Sequence, residues 1–182
     1  IDMKKFLDAF MRQLLRYLLK PLSFVPAICM MYVIYSFSAQ DGNASASVSL
    51  KVSEIVVSTA DKVLDRDLNE SEKEAWVDKI HFYVRKCGHF TEYFVLAVTF
   101  AFPLYVYGVR GLWLVFFAGG FCVGFACLDE FHQSFVAGRT PSKRDVLIDS
   151  GGVLLGILMV RILGFIGRRT IFRGLSSSRN SR

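Results

Sequence analysis

The sequence predicts an all-α fold, a polytopic integral membrane bundle of four transmembrane helices with an N-terminal amphipathic helix and an outer helical loop. Of the 182 residues, 53% are hydrophobic and the mean hydropathy is +0.39, which is too apolar for an ordinary soluble domain. A helix needs about 20 residues to cross a bilayer. Four apolar runs approach that length, at residues 21–40, 93–109, 111–128 and 146–166.

The N-terminal segment, residues 1–20, predicts an amphipathic helix that lies on the membrane surface. Among its lysines and arginines, apolar residues recur at helical spacing as Phe6, Phe10, Leu14 and Leu18. The run that follows is of spanning length, and the basic region before it is too long for a cleaved signal peptide. We therefore expect this run to be the first span.

The outer loop, residues 41–88, predicts two further helices. Its first half places apolar residues on one helical face, and Asn69 with Glu72 resembles a capping box that opens a second helix. We expect this second helix to run on into the second span. The transmembrane domain is predicted at 21–167, and the basic tail 168–182 is predicted to be disordered and cytoplasmic.

Glycine pairs predict which spans pack together. Gly120 and Gly124 are four residues apart in the third span, as are Gly152 and Gly156 in the fourth. Small residues at this interval let helix backbones approach closely in membranes. We therefore expect the third and fourth spans to pack against each other.

The basic residues predict a multi-pass protein of the cell membrane with both termini in the cytoplasm. Bases dominate the two terminal segments, and Arg110 lies alone between the second and third spans. The positive-inside rule then places the loops 41–88 and 137–144 outside. Three bases of the second loop oppose this rule, namely Arg139, Lys143 and Arg144. Either the bases of the terminal segments determine the orientation despite them, or these three bases bind an anion at the outer surface, such as a lipid phosphate.

Polar and ionisable residues gather at the same end of every predicted span. A charge inside a spanning helix costs about 2.5–3.5 kcal/mol on insertion scales, so a chain that keeps many of them uses them. Several are four residues apart and therefore share one helix face. We predict an outward-facing polar pocket formed by Gln40, Lys86, His89, Tyr93, Asp129, Glu130, Gln133, Arg139, Asp145 and Asp149.

Some of these residues also have a purely structural interpretation. His89 would anchor its helix at the membrane interface. Asp129 and Arg139 would form an ion pair that fixes the third span to the following loop. Asp149 would hydrogen-bond a neighbouring helix.

The order of these motifs resembles the VanZ-like family of bacterial membrane proteins. The resemblance covers about residues 22–167. It rests on Ser-Phe-Ser-Ala-Gln-Asp-Gly at 36–42, Lys86-x-x-His89-x-x-x-Tyr93, Asp129-Glu130-x-x-Gln133-x-Phe135, Gly138-Arg139 and Asp145-x-x-x-Asp149. Two positions depart from the family pattern, since Ala137 stands where a proline is frequent and Asp149 where asparagine is expected.

The resemblance implies a role in the cell envelope and in tolerance of the glycopeptide teicoplanin, with no settled reaction. The residues that it carries over are Gln40, His89, Tyr93, Asp129, Glu130, Gln133, Arg139 and Asp145. Lys86 joins them by its place at the outer start of the second span, and Asp149 by its spacing of four residues from Asp145.

Two functions stay open. In the first, the pocket binds an anionic lipid-linked headgroup, and the partners are membrane lipids and a lipid-linked envelope precursor or lipoglycopeptide, with no nucleic acid. In the second, an intramembrane enzyme acts on a lipid headgroup or lipid phosphate. His89 would then be the base or nucleophile, Asp129 or Glu130 the acid, and Arg139 the phosphate clamp.

A divalent metal would belong to the second function. Its donors would be Asp129, Glu130 and Asp145, but their spacing is not diagnostic of a metal site, so the cofactor stays unknown and no residue is assigned as a metal ligand. Proton-coupled transport is a weaker alternative because no polar residue lies deep on the inner half to complete a path.

Overall fold

The computed structural model describes residues 3–170, and within that range every regular element is helical. The elements are α1 Met3–Leu22, α2 Val25–Ser38, α3 Gly42–Leu64, α4 Glu70–Val106, α5 Gly111–Leu114, a π-helical turn Val115–Gly119, α6 Gly120–Gln133 and α7 Lys143–Thr170. This order confirms the all-α prediction.

Four helical stretches are long and apolar enough to cross a membrane, as predicted. They cover Leu19–Ser38, Glu70–Val106, Gly111–Gln133 and Lys143–Arg168. The second contains the 37 residues of α4, which extend about 55 Å and exceed a hydrocarbon core of about 30 Å. One part of α4 therefore projects from the membrane, and α3 packs along α4.

The start of α4 is fixed by the predicted capping box. Asn69 Oδ1 accepts a hydrogen bond from the Glu72 N–H at 2.9 Å, and Glu72 Oε2 accepts one from the Asn69 N–H at 3.0 Å. These bonds satisfy two N–H groups that a helix start leaves without intrahelical partners. From there α4 runs unbroken into the second span, as predicted.

Helix α1 exposes large apolar side chains, among them Phe10 and Leu14. Its end is fastened to the end of α4, because the Tyr107 hydroxyl donates to the Lys20 carbonyl oxygen at 3.0 Å. The side chains of Phe6 and Leu18 lie outside the described part of the structure. So do residues 171–182 of the predicted disordered tail, whereas its first residues, 168–170, are helical because α7 continues to Thr170.

The core of the bundle is the crossing of α4 and α7, which make the most extensive contact between two helices. A Cβ added at Gly152 would overlap the carbonyl oxygen of Phe90, and one at Gly156 would lie 2.6 Å from that of Phe94. Only glycine lets the two backbones approach this closely. The glycine pair of the fourth span therefore faces the second span.

The third and fourth spans also pack together, as predicted, but not through both glycine pairs. Nothing lies within 4 Å of a Cβ added at Gly120 or Gly124. The third span instead buries three other small residues at the same four-residue interval, Ala118, Cys122 and Ala126. Its close-packing face is therefore turned away from the glycines.

Candidate functional site

The predicted site residues meet at one end of the bundle, where α2 and α6 end and α7 begins. We call this the polar end. Carboxylates from three helices converge there, since Asp149 interacts electrostatically with Glu92, Asp129, Glu130 and Asp145. We define the polar cluster as Lys86, His89, Glu92, Tyr93, Asp129, Glu130, Gln133, Arg139, Asp145 and Asp149.

The polar cluster has a buried part and a partly exposed rim. Asp129, Glu130, Gln133 and Asp149 are all buried, with at most 8% of their surface exposed. Four rim side chains keep 15–23% of their surface exposed, namely Lys86, His89, Glu92 and Asp145. A ligand would therefore reach the rim first.

The loop between α6 and α7 places Arg139 over the end of α2. Gly138 has φ +71°, a left-handed conformation that glycine adopts without strain. The Gly42 N–H donates to the Ala137 carbonyl oxygen at 3.0 Å, and a Cβ on Gly42 would overlap the Gly138 carbonyl oxygen. The Gly42 and Gly138 backbones are thus in direct contact, which brings the 36–42 segment and the Gly138-Arg139 motif together.

Three hydrogen bonds hold the Arg139 guanidinium. Its Nε donates to the Gln40 carbonyl oxygen at 3.3 Å, and one Nη donates to the Phe37 carbonyl oxygen at 3.0 Å. The other Nη donates to Gln133 Oε1 at 3.4 Å. Burial lowers the pKa of Arg139, and the nearby charge of Arg85 lowers it further. Gln40 thus takes part through its backbone carbonyl.

Gln133 connects Arg139 to the buried carboxylate of Asp129. Its Nε2 donates to Asp129 Oδ2 at 3.0 Å, while its Oε1 accepts from Arg139. The structural interpretation of a direct Asp129–Arg139 ion pair is therefore wrong for this structure. The amide orients both groups and leaves the guanidinium without a carboxylate in contact.

Two further carboxylates of the polar cluster have firm partners. Lys86 Nζ and Asp145 Oδ1 form a partly buried ion pair at 2.5 Å between α4 and α7. Glu130 Oε1 accepts the Ser142 N–H at 2.6 Å, which fixes the loop just before α7. These contacts join α4, α6 and α7 at the level of the site.

His89 and Glu92 share one face of α4 on the rim. His89 Nδ1 lies 3.8 Å from Glu92 Oε2, beyond hydrogen-bonding distance. Glu92 was not among the predicted site residues, although its place three residues after His89 puts both on one helix face. That spacing is the signal that would have found it.

Two buried members of the polar cluster lack a hydrogen-bond partner among the described residues. The Tyr93 hydroxyl and Asp149 Oδ1 are both fully enclosed, and their residues are 0% and 2% exposed. Unpaired buried polar groups are uncommon and costly, so they mark sites with a function more often than random positions do. Asp149 Oδ1 therefore does not form the hydrogen bond to a neighbouring helix that the structural interpretation expects.

Arg85 is a second residue that the sequence analysis missed. It is half-buried, and its charge acts on both His89 and Arg139. Neither Arg85 nor Arg139 has an acidic group within 4 Å among the described side chains. The polar end therefore holds two guanidinium groups that are free of direct ion pairs.

The geometry does not support the divalent metal considered from the sequence. Among the described residues, no group of three or more His, Cys, Asp or Glu side chains is placed to hold a metal ion. Glu130 is turned to the Ser142 N–H and Asp145 to Lys86, so two of the three suggested donors are engaged elsewhere.

Together the spans and the polar cluster define a multi-pass membrane protein with charged groups packed at one end of its helices. A family model described as VanZ/LLP1 matches residues 23–164, and the chain belongs to that family. This confirms the VanZ-like resemblance. Membership suggests a membrane protein linked to glycopeptide resistance. No curated protein and no solved structure matches the chain.

Proposed function

We propose that the polar cluster binds the anionic headgroup of a lipid-linked envelope precursor. The observation that supports this most is the pair of guanidinium groups, Arg85 and Arg139. Their like charges act on each other, and neither has an acidic group within 4 Å among the described side chains, although Asp129, Glu130 and Glu92 attract Arg139 from further away. A phosphate or pyrophosphate between them would relieve that repulsion and accept charge-assisted hydrogen bonds.

Arg139 is already oriented for such a ligand. Its three hydrogen bonds use three of the five N–H donors of an arginine, so two donors remain. A group that is held in place before binding loses little conformational entropy when the ligand arrives. The backbone contact of Gly42 with Gly138 fixes the residue next to Arg139 and so helps to hold this orientation.

The carboxylates favour a mixed headgroup over a bare phosphate. Glu92 lies on the partly exposed rim and would accept hydrogen bonds from hydroxyl or ammonium groups beside the phosphate. Lipid-linked envelope precursors carry such groups on their sugars and amino acids. The family membership supports the assignment to the envelope.

We also propose that the polar end faces the outside of the cell. The opposite end concentrates Arg110, Arg161 and Arg168, and the positive-inside rule assigns such an end to the cytoplasm. The ligand would then be taken from the outer leaflet.

Binding to the purified protein in lipid nanodiscs tests the proposal. The probe is a polyprenyl pyrophosphate, with the same polyprenol lacking phosphate for comparison. Loss of one charge-assisted contact weakens binding by about 10-fold to 100-fold. We expect that loss for Arg139→Gln and for Arg85→Gln. Teicoplanin tolerance should also be lower in cells that express Arg139→Gln or Arg85→Gln than in cells that express the wild type.

The matched control is Arg66→Gln, which removes an exposed arginine from the α3–α4 turn. The Arg85 side chain forms no hydrogen bond to another described residue, so its variant should fold even where Arg139→Gln does not. Unchanged pyrophosphate binding by folded Arg85→Gln and Arg139→Gln proteins contradicts the proposal. Equal binding of the polyprenol also contradicts it.

Catalysis on the same headgroup is the second candidate, and the His89–Glu92 pair on the rim supports it. A histidine beside a carboxylate is a common arrangement for a general base, and apo distances such as 3.8 Å often shorten when substrate binds. In that case His89→Ala should abolish release of phosphate from the pyrophosphate probe and leave its binding within about threefold. Wild-type protein that never forms product excludes this candidate.

A further inference from the structure

A second concentration of charge lies at the opposite end of the bundle, which we call the arginine end. The α4 residues from His89 to Tyr105 separate it from the polar cluster by about 24 Å. There a cleft of about 390 Å³ opens between α4, α5 and α7. This volume falls within the range of small-molecule and cofactor sites.

Three arginines line this cleft, and none is neutralised by the described chain. Arg110, Arg161 and Arg168 come from the start of α5 and from two places on α7. Among the side chains that the structure describes, no carboxylate lies within 4 Å of any of them. Three like charges around one cleft repel each other unless an anion lies among them.

The Tyr105 ring fixes two of these arginines at the cleft. The guanidinium carbon of Arg168 lies 5.2 Å from the ring centroid, and that of Arg110 lies 5.6 Å from it. Gly164 makes this arrangement possible, because any side chain there would overlap the ring. The Tyr105 hydroxyl is enclosed and has no hydrogen-bond partner among the described residues. The arginines are thus held beside the cleft by packing.

The rest of the cleft wall is apolar. Leu158, Ile162 and Phe165 line it, and all three are exposed on the outer surface of a span. A cleft that is basic at one side and apolar at the other matches a molecule with an anionic headgroup and a hydrocarbon chain. A free phosphate would use only the arginines.

We propose that this cleft binds the phosphate headgroup of an anionic phospholipid from the leaflet at the arginine end. The phosphate accepts hydrogen bonds from Arg110, Arg161 and Arg168, and the first part of an acyl chain lies against Leu158 and Phe165. Basic pockets between membrane helices bind lipid headgroups in this way. The site is separate from the polar cluster and does not depend on the function proposed there.

Lipid enrichment around the full-length protein tests this proposal. The protein is incorporated into vesicles of phosphatidylcholine and phosphatidylglycerol in equal amounts, extracted in mild detergent, and its retained lipids are counted by native mass spectrometry. We expect phosphatidylglycerol to be enriched on the wild type. One basic residue near the headgroups changes affinity about fivefold, so the triple variant R110Q/R161Q/R168Q should lose about 100-fold.

The charge control is K51Q/K62Q/K79Q, which removes three exposed lysines from α3 and α4 and should keep the enrichment. A steric pair of variants leaves all charges in place. Leu158→Trp fills the cleft and should remove the bound lipid, whereas Leu154→Trp, an exposed position outside the cleft, should not.

Two results would overturn the assignment. One is enrichment of phosphatidylglycerol that survives in both the triple arginine variant and Leu158→Trp. The other is competition by inorganic phosphate at equal concentration, because it would identify free phosphate as the ligand. If the triple variant does not fold, Leu158→Trp alone decides the outcome.

Discussion

The two ends of the bundle treat charge in opposite ways. At the polar end, five carboxylates meet basic groups within one packed cluster, and contacts such as Lys86–Asp145 and Gln133–Asp129 join the helices there. At the arginine end, three guanidinium groups surround a cleft without an acidic partner in the described chain. The first end uses charge to assemble the bundle, and the second leaves charge available to the membrane.

This difference separates stability from binding. Removing a charge that is paired inside a packed cluster leaves its partner buried and uncompensated. Removing a charge that has no partner leaves nothing behind. Substituting a paired charge of the polar cluster should therefore destabilise the protein, while at the arginine end single substitutions should change only what the protein binds.

An all-or-none effect is expected when the α6–α7 loop and the C-terminal tail of the protein are labelled in intact cells. Single cysteines at Ser142 and Ser177, in a variant without the four native cysteines, are exposed to a membrane-impermeant maleimide. Since the positive-inside rule places the arginine end in the cytoplasm, only Ser142→Cys should react before the cells are lysed. Reaction of Ser177→Cys in intact cells would reverse the orientation, and both should react after lysis.

The largest loss of stability is expected at the crossing that holds the two ends in register. A methyl group at Gly152 would overlap the Phe90 carbonyl oxygen, so Gly152→Ala should lower the free energy of unfolding by about 3 kcal/mol. Gly120→Ala makes the same change where nothing lies within 4 Å, and should have no destabilising effect. Equal melting temperatures for the two variants in detergent would refute the close α4–α7 crossing.

The ion pair of the polar end should contribute the next largest effect. Lys86→Met leaves Asp145 partly buried without its partner, and we expect a loss of about 2–3 kcal/mol in the free energy of unfolding. Lys73→Met removes a more exposed lysine that lies near both Glu70 and Asp61, and because solvent screens its charge it should cost less than Lys86→Met. Chemical denaturation of both variants measures the difference. An equal loss in the free energy of unfolding would show that the Lys86–Asp145 pair contributes no more stability than the more exposed contacts of Lys73.

A smaller effect is expected where the α6–α7 loop meets the end of α2. Gly138 has φ +71°, so Gly138→Ala should cost about 1–2 kcal/mol. Gly88→Ala is the control, because Gly88 is helical and has nothing within 4 Å of an added Cβ. Because Gly138 positions Arg139, the Gly138 variant should also weaken binding of the pyrophosphate probe, which Gly88→Ala should leave intact.

The sequence predicts the fold well because membrane helices are defined by long apolar runs and by local start signals. The Asn69–Glu72 capping box located the start of α4 and its continuation into the second span. The partner of the Gly152–Gly156 face was not predictable, because small residues show that a helix can pack closely but do not identify the helix it meets. No residue pattern predicted the π-helical turn Val115–Gly119.

The sequence predicted the end of the spans at which the polar residues gather, but it missed Glu92 and Arg85 and did not predict which side chains bond to each other. Ionisable residues at one end of every span predicted where they would meet, and they do meet there. The bonds of Arg139 to the Phe37 and Gln40 carbonyl oxygens had no signal, since every residue carries a backbone carbonyl. The role of Gln133 between Arg139 and Asp129 depends on side-chain orientation, which spacing does not determine.

The smallest effect on stability should come from the arginine end, and it completes the contrast with Lys86. Arg161 has no acidic partner within 4 Å in the described chain and lies beside two like charges, so Arg161→Gln should change the free energy of unfolding by less than about 0.5 kcal/mol. The same variant should reduce phosphatidylglycerol retention about fivefold. Denaturation and native mass spectrometry on one preparation measure both. A loss of stability as large as that of Lys86→Met would mean that this end, too, is held together by its charges.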